Sequence, residues 1–215
     1  MPVSLYQLNP VVAPFVRRLI GPGTPETEVL QPSETVSVRP PAFLPGALDR
    51  VTATDENSTL SYHRQVAIET TVTHVPVLRH TYRNALVRRR GFATLRQHER
   101  YGSGFGPGDL FGPVDRVPLL RYCHSWVIWK YFGHWLTDAI SAAMIDPGRG
   151  ALWMPADPSW MHAPAYVRAL DLAVRPDAPV LADELIAYQD FGQGSHKARR
   201  YAQIRDLLQS RFGGD

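Results

Sequence analysis

The chain has 215 residues, a formal net charge of +3 and 44% hydrophobic residues, which is enough apolar material for a buried core. This composition excludes disorder throughout the chain, and the single cysteine, Cys123, excludes an intramolecular disulfide. The apolar patches of the N-terminus are interrupted by Pro10, Pro14 and two arginines, so they match neither a secretory signal nor a membrane span. We expect a cytoplasmic protein, with peripheral association at the inner face of the membrane left open.

The N-terminal half has the composition of strands and irregular connections. Residues 1–60 are rich in proline and turn residues, and we expect an irregular segment with one strand at "TVSVR". In residues 61–117, the β-branched run "VAIETTVTHVPVL" predicts a strand, and "RNALVRRRGFATLR" predicts a hairpin around Arg90 and Gly91. The glycine-rich stretch "GSGFGPG" lacks the preceding strand and the following helix of a dinucleotide fingerprint, so it is expected to be a loop.

Residues 118–215 change to an alternation of strand and helix patterns. The predicted strands are "LLRYCHSWVIW", "GALWMPA" and "APVLADELIAYQ". The predicted helices are "GHWLTDAISAAMI", "SWMHAPAYVRALDLA" with Ser159 as N-cap, and "SHKARRYAQIRDLLQSRF" with Ser195 as N-cap and Gly213 at its end. Strands that alternate with helices are typical of a parallel sheet covered by helices. The fold class is therefore predicted to be α/β, with a Rossmann-like sheet preceded by the strand-rich, proline-rich region.

Two basic clusters allow two interpretations. They are residues 88–90, "RRR", and residues 197–205, "KARRYAQIR". Either they are solvated faces, or they attract an anionic partner such as a nucleotide diphosphate, an acidic glycan or a lipid phosphate. No sequence pattern of a nucleic-acid-binding module accompanies them, so nucleic acid is not an expected partner.

A histidine and an aspartate follow the strongest strand pattern. His134 and Asp138 are spaced i, i+4, so their side chains point to one side of the predicted helix. No third ligand accompanies them, so we expect no metal site. Ligands of parallel sheets gather where strands end and helices begin, and an aspartate there could accept a proton from an attacking hydroxyl while the histidine orients it. The alternative is an ordinary helix start, with His134 partly buried and Trp135 in the core.

The stretch "YFGHWLTDAISAAMI" resembles the motif of the family-61 glycosyltransferases of the capsular polysaccharide biosynthesis type. In that family an aromatic residue, a glycine or aromatic residue and a histidine precede a Trp or Phe and, three positions later, an acidic residue, at the start of a helix. The segments "NALVRRRGFATL" and "AYQDFGQGSHKARRYAQIRDLL" are also similar to the surroundings of this motif. The resemblance spans roughly residues 75–210.

The resemblance implies an inverting glycosyltransferase of GT-B-like architecture that uses a nucleotide-sugar donor and needs no essential metal or cofactor. On this chain it implies Asp138 as the base that activates the acceptor and His134 as its catalytic neighbour. Lys130, Tyr131 and Trp135 flank the motif and are candidate substrate-binding residues, although packing is the favoured role of Trp135. Tyr131 departs from the family pattern, which has asparagine at that position.

The resemblance covers only the acceptor side of such an enzyme. No donor-binding motif follows it before "RFGGD". We therefore expect the N-terminal, acceptor-side half of a glycosyltransferase that works with a missing or separate donor-binding half and leaves an apolar face near the last helix uncovered. A fragment, a split half and an inactive protein all stay open, as does a homo-oligomer. The alternative function is a non-catalytic module that holds a glycan acceptor or assembles with a partner.

Overall fold

We describe the protein from a computed structural model, in which residues 24–54, 58–89, 91–96, 98–100 and 113–213 are described. The core of the predicted glycine-rich loop, residues 101–112, lies outside these ranges. The described residues form a mixed α/β structure, with a larger sheet that has helices packed against it and a smaller two-stranded sheet. None of the helices among the described residues has the length and apolar character needed to cross a bilayer.

Nine strands and six α-helices are distinguished in the described part of the chain. The strands are β1 Glu26–Gln31, β2 Glu34–Ser37, β3 Thr71–His74, β4 Val77–Arg88, β5 Gly91–Ala93, β6 His98–Arg100, β7 Asp115–Tyr122, β8 Ala151–Trp153 and β9 Val180–Gln189. The α-helices are α1 Leu60–Ile68, α2 Trp126–Lys130, α3 Phe132–His134, α4 Ile140–Ala143, α5 Ala163–Ala169 and α6 Ser195–Phe212. A short 3₁₀-helix covers Leu48–Arg50, and a π-helical turn, Trp135–Ala139, joins α3 to α4.

The larger sheet combines a parallel and an antiparallel part. Its order is β6-β5-β4-β9-β7-β8, with β1 paired to the first half of β4. β7 runs parallel to both β8 and β9, and helices connect these strands, as the alternating pattern predicts. β4 pairs with β9 in antiparallel orientation. The parallel part of the prediction is confirmed, whereas the sequence pattern did not predict that the strand-rich region would extend the same sheet.

Two apolar clusters cover opposite faces of this sheet. Leu152 belongs to a cluster formed with the helices after β7, and its neighbour Trp153 belongs to a cluster built from β4, β7 and β9. Adjacent strand residues point to opposite faces, so this alternation along β8 shows that both faces of the sheet are covered. Ile204 and Leu208 of α6 pack against the first cluster, which fixes the last helix beside the helices that follow β7.

The predicted hairpin is confirmed. β4 and β5 pair in antiparallel orientation, and Arg88 of β4 pairs with Gly91 of β5. Gly91 has φ +137°, a backbone conformation that favours glycine over residues with a Cβ. The strand predicted at "TVSVR" is confirmed as β2, although β2 begins at Glu34 and ends at Ser37.

The strand predicted over "VAIETTVTHVPVL" is wrong in its first part. Residues 60–68 form helix α1 because Thr59 caps it, with its Oγ1 accepting a hydrogen bond from the backbone N–H of Tyr62. The remainder is divided between β3 and β4, which are separated at Val75 and Pro76. In our prediction the β-branched composition of the later residues therefore outweighed the capping signal at Thr59.

Two boundaries in the α/β region also differ from the prediction. The first strand ends at Tyr122, and "SWVIW" begins helix α2, where the Ser125 Oγ accepts a hydrogen bond from the N–H of Ile128. Helix α5 begins at Ala163 and not after a Ser159 cap, since Ser159 donates its hydroxyl hydrogen to Asp157 instead. At α2 a local side-chain hydrogen bond marks where the helix begins, whereas no side-chain hydrogen bond caps the start of α5.

The basic clusters are not simply solvated faces. Arg88, Lys197 and Arg200 are buried, whereas Arg199 and Arg205 of the same helix are exposed. The exposed arginines suit the solvated-face interpretation. The buried Lys197 and Arg200 pair with carboxylates inside the protein, so that interpretation is wrong for them.

The Glu34 carboxylate, on a strand that is distant in sequence, accepts a hydrogen bond from a backbone N–H at the N-terminus of helix α6. The backbone N–H of Ser195 donates a hydrogen bond of 2.8 Å to the Glu34 Oε2, so Ser195 is the first helical residue and not the N-cap that we predicted. This hydrogen bond lowers the pKa of the Glu34 carboxyl. The interaction links the small sheet of β2 and β3 to α6.

We expect this link to weaken in acid. A carboxyl group whose pKa is lowered by folding stabilises the folded state above its ordinary pKa of 4.5, and that contribution is lost as the pH falls below it. Glu34→Gln should remove this pH dependence and reduce the hydrogen-exchange protection of the Ser195 amide at neutral pH. Glu26→Gln, an exposed carboxylate of β1, is the matched control. Unchanged Ser195 protection in Glu34→Gln would contradict the link.

Candidate functional site

A cavity of about 490 Å³ lies at the carboxyl ends of two parallel strands. Its lining includes Cys123 and His124, which follow β7, and Gln189 and Asp190, where β9 ends. In open α/β sheets, ligands bind outside the carboxyl ends of parallel strands, because the loops there are free of sheet packing. This cavity is therefore the place in the described part of the chain where the sheet topology favours a ligand.

The helix after β7 brings His134 and Asp138 to this cavity. Residues 132–143 are helical throughout, but the turn Trp135–Ala139 is a π-helix. The Thr137 hydroxyl donates a hydrogen bond of 2.9 Å to the Gly133 carbonyl within this turn. Single π-helical turns within α-helices occur frequently at functional sites. Both predicted residues line the cavity, and the side chain of His134 is 50% exposed, that of Asp138 24%.

His134 and Asp138 are joined by a short hydrogen bond. The His134 Nδ1 and the Asp138 Oδ2 lie 2.7 Å apart. An ionised carboxylate can only accept a hydrogen bond, so the Nδ1 carries the hydrogen, and in the neutral imidazole the lone pair is then on Nε2. A carboxylate that holds one ring nitrogen orients the other toward a substrate, as in catalytic Asp–His pairs. The spacing predicted this pairing correctly, whereas the role of each residue stays a prediction.

A buried lysine holds the other side of the Asp138 carboxylate. The Lys197 ammonium lies 2.7 Å from the Asp138 Oδ1 and 3.0 Å from the backbone carbonyl of Asp190, and only 1% of its side chain is exposed. Arg200 completes the group, with its guanidinium 2.5 Å from the Asp190 Oδ2 and 3.1 Å from the Ser141 Oγ. Carboxylates and cations thus alternate from the cavity into helix α6, so each buried charge has a partner of opposite sign.

Three lining residues, Cys123, His124 and Tyr188, form a floor that is uncharged at neutral pH, whereas the carboxylates of Asp138 and Asp190 lie elsewhere in the lining. Burial raises the pKa of the Cys123 thiol to about 12 and lowers the pKa of His124 to about 4. Burial and a hydrogen bond to Asp146 also raise the pKa of the Tyr188 hydroxyl. Cys123 is therefore a protonated thiol and not an activated nucleophile. A neutral, hydrogen-bonding ligand suits such a floor better than an anion.

The opposite wall comes from the antiparallel part of the sheet. There the His80 Nδ1 contacts the Thr27 hydroxyl at 2.9 Å, and the His80 Nε2 is 3.4 Å from the Gln189 Oε1. Phe92 packs against Tyr82 and Tyr122, with ring centroids 4.8 Å and 5.3 Å apart. This wall is therefore aromatic, with one histidine–glutamine pair.

The residues that flank the motif are placed differently from our expectation. Trp135 is completely buried, stacks on Phe132 and belongs to the core, so a substrate contact for Trp135 is corrected to packing. Tyr131 and Lys130 are exposed, and the Lys130 ammonium lies 5.2 Å from the centre of the Tyr131 ring. Neither belongs to the cavity lining, although the Tyr131 ring is 6.0 Å from that of His134. Both remain candidate substrate contacts at the edge of the site.

Sequence reasoning missed Lys197, Asp190 and the opposite wall of the cavity. Lys197 carried one usable signal, because the chain has only two lysines among its 23 basic residues. Lysine is a compact cation that can fit between two carboxylates, and its appearance in an arginine-rich helix is unusual enough to mark a buried role. Asp190 and His80 carried no such signal, since their place depends on the pairing of β4 with β9.

Protein-family models, curated proteins and solved structures were compared with this chain, and none of them matches it. The resemblance to family-61 glycosyltransferases therefore depends on the motif and its flanking segments alone. Within the described ranges, no group of three or more His, Cys, Asp and Glu side chains could hold a metal ion. The groups that determine the chemistry of the site are therefore those of His134, Asp138 and their surroundings.

Proposed function

We propose that the protein is the acceptor-side half of an inverting glycosyltransferase, which transfers a sugar from a nucleotide-sugar donor to a glycan acceptor in the synthesis of a surface polysaccharide. The observation that carries this proposal is the 2.7 Å hydrogen bond between His134 and Asp138 at the cavity beyond the carboxyl ends of β7 and β9. The motif resemblance gives the reaction class. In this proposal the mixed sheet is one Rossmann-like half of a GT-B-like enzyme.

The hydrogen bonds of His134 and Asp138 favour roles that are the reverse of those that the motif resemblance implies. Asp138 was expected to be the general base, but both its carboxylate oxygens are engaged, one by His134 and the other by Lys197. The His134 Nε2 is left to accept a proton, while Asp138 fixes the ring and stabilises the imidazolium. We therefore propose His134 as the base and Asp138 as its positioning residue.

The proposed reaction is a single displacement at the anomeric carbon. The acceptor hydroxyl loses its proton to the His134 Nε2, and its oxygen attacks the anomeric carbon of the donor sugar from the side opposite the diphosphate. The bond between that carbon and the diphosphate oxygen breaks, and the nucleoside diphosphate leaves with the electron pair. The anomeric configuration inverts. The diphosphate would be held by a donor-binding lobe, since the cavity described above has an uncharged floor.

An open groove offers a surface for such a lobe. It has a volume of about 740 Å³ and runs along helix α6, where it is lined mainly by apolar side chains, including Leu136, Tyr166, Ile204, Leu208 and Phe212. A contiguous exposed apolar surface of this kind is typical of an interaction site. Its position beside α6 agrees with the expectation that an apolar face near the last helix is uncovered.

One observation favours the alternative function. The Lys197 ammonium neutralises the Asp138 carboxylate at 2.7 Å, as a purely structural ion pair would. The protein would then be a non-catalytic module that holds a glycan in the same cavity. Such a module needs the aromatic wall but not a base.

The test is a transfer assay on the protein as its gene encodes it. The protein is incubated with glycan extracted from its host and, in turn, with UDP-, GDP- and dTDP-sugars. We expect nucleotide release that depends on the acceptor and one donor, and a product whose anomeric configuration, read by NMR, is opposite to that of the donor. Binding of the glycan with no transfer from any donor, with or without a separately supplied donor-binding lobe, would favour the module instead.

A further inference from the structure

Phe191 is a large apolar side chain that faces solvent at the cavity. Its side chain is 72% exposed, and it lines the cavity that also contains His134 and Asp138. Among the described residues it has no aromatic ring contact, unlike Tyr82, Phe92 and Tyr122 on the wall, which pack against each other. An exposed phenyl ring in a cavity has an apolar face available to a ligand.

The backbone on the N-terminal side of Phe191 is held by the buried charges. Asp190 precedes it, and the Asp190 carboxylate contacts Arg200 while its carbonyl accepts a hydrogen bond of 3.0 Å from Lys197. These contacts tie the end of β9 to helix α6. The contacts of Asp190 therefore hold the backbone immediately before Phe191 in place.

The backbone on the C-terminal side is held by close packing. A Cβ on Gly192 would lie 3.1 Å from the Val75 carbonyl oxygen, and a Cβ on Gly194 would lie 2.8 Å from the Glu34 Oε2. A side chain at Gly192 or Gly194 would therefore require a local shift, so both glycines favour the close approach of the loop to Val75 and to β2. Phe191 is thus exposed between two anchored points, which is how a preorganised ligand contact is built.

The groups around Phe191 select the class of ligand. Gln189, Gln193 and His134 also line the cavity and supply hydrogen-bonding groups, and the floor is uncharged. A ligand that fits must combine an apolar face for the phenyl ring with hydroxyl groups for the amide and imidazole groups. A pyranose ring has both, since its axial C–H groups form an apolar face and its hydroxyls lie around the edge.

We infer that Phe191 is the stacking platform for a neutral pyranose of the acceptor, which it holds beside His134. This inference rests on the proposed function, to which it adds the acceptor class and a specificity-determining residue. The acceptor would present its uncharged sugar ring to Phe191 and one hydroxyl to the His134 Nε2. Anionic sugars are disfavoured, because the cavity lining contains the carboxylates of Asp138 and Asp190 and, within the described part of the chain, no lysine or arginine.

The experiment measures sugar binding and not transfer. Saturation-transfer difference NMR is recorded with cellobiose, maltose, lactose and chitobiose at millimolar concentrations, and the dissociation constants are obtained by titration. We expect at least one disaccharide to bind, with the strongest saturation on the axial protons of one ring face. Phe191→Ala should weaken its binding by about 5-fold to 10-fold, and Phe191→Tyr should retain it.

Phe43→Ala is the matched control, because Phe43 is also an exposed phenylalanine and is not among the residues that line the cavity. It should leave disaccharide binding unchanged. Equal binding by wild type and Phe191→Ala, equal weakening by both alanine variants, or no binding of any disaccharide would overturn the inference. Binding that depends on Phe191 in a protein that transfers no sugar would instead refute only the proposed catalytic function.

Discussion

His134→Ala should lower the rate of sugar transfer by about 10²-fold to 10⁴-fold, which is the usual contribution of a general base. The physical reason is that the acceptor hydroxyl would then attack while still protonated. The measurement is the initial rate of transfer at saturating donor and acceptor. The melting temperature should change little, because half of the His134 side chain is already exposed to solvent.

A second histidine serves as the matched control for this prediction. His162 is exposed and lies outside the cavity lining, just before helix α5. His162→Ala should transfer sugar at the wild-type rate. If His134→Ala lost as much stability as activity, the residue would be a structural histidine, and the base would have to be sought elsewhere.

Lys197→Met should destabilise the fold by about 3 kcal/mol, which is typical when one partner of a buried ion pair is removed. Methionine fills a similar volume but leaves Asp138 and the carbonyl of Asp190 without the ammonium that they share. For a chain of this size, that loss corresponds to a decrease in melting temperature of about 6–12 °C. Urea unfolding followed by circular dichroism measures the change.

The other lysine of the chain is the control. Lys130 is exposed at the end of α2, so Lys130→Met should change the free energy of unfolding by less than about 0.5 kcal/mol. A Lys197→Met variant as stable as wild type would mean that the alternating charges contribute nothing to the fold. It would also remove the argument that Lys197 occupies one oxygen of Asp138.

The elements with strong local signals were predictable from the sequence. The hairpin has a glycine, Gly91, where β5 begins, and β9 and α6 have clear periodic patterns, so their existence and type were predicted correctly. The helical spacing of His134 and Asp138 was enough to place both side chains together. Local geometry determined all of these features.

Features that depend on distant parts of the chain were not predictable. The antiparallel addition of β4 to β9 creates the wall with His80, and the contact of Glu34 with Ser195 joins residues 161 positions apart. The contacts of Lys197 with Asp138 and of Arg200 with Ser141 form only when helix α6 packs on the helix after β7. A pattern read along one segment contains no information on such packing.

Helix α1 was missed for a different reason. The residues after it have the β-branched composition of a strand, and this composition hid a capped helix of nine residues in front of them. For the same reason the predicted strand at β7 was too long, because Ser125 caps α2 within the segment that we predicted as strand. In both cases the capping serine or threonine was present in the sequence, and its weight against the strand pattern was underestimated.

The most direct test of the central claim is chemical rescue of the His134–Asp138 pair. His134→Ala and Asp138→Ala are assayed for transfer with added imidazole and, separately, with added formate. We assume that the His134 Nε2 takes the acceptor proton and that Asp138 only positions the ring. Imidazole should then restore a large part of the activity of His134→Ala. Formate should not raise the activity of Asp138→Ala above the rate that this variant has without formate. Rescue of Asp138→Ala by formate, with no effect of imidazole on His134→Ala, would contradict the account and return the role of base to the carboxylate.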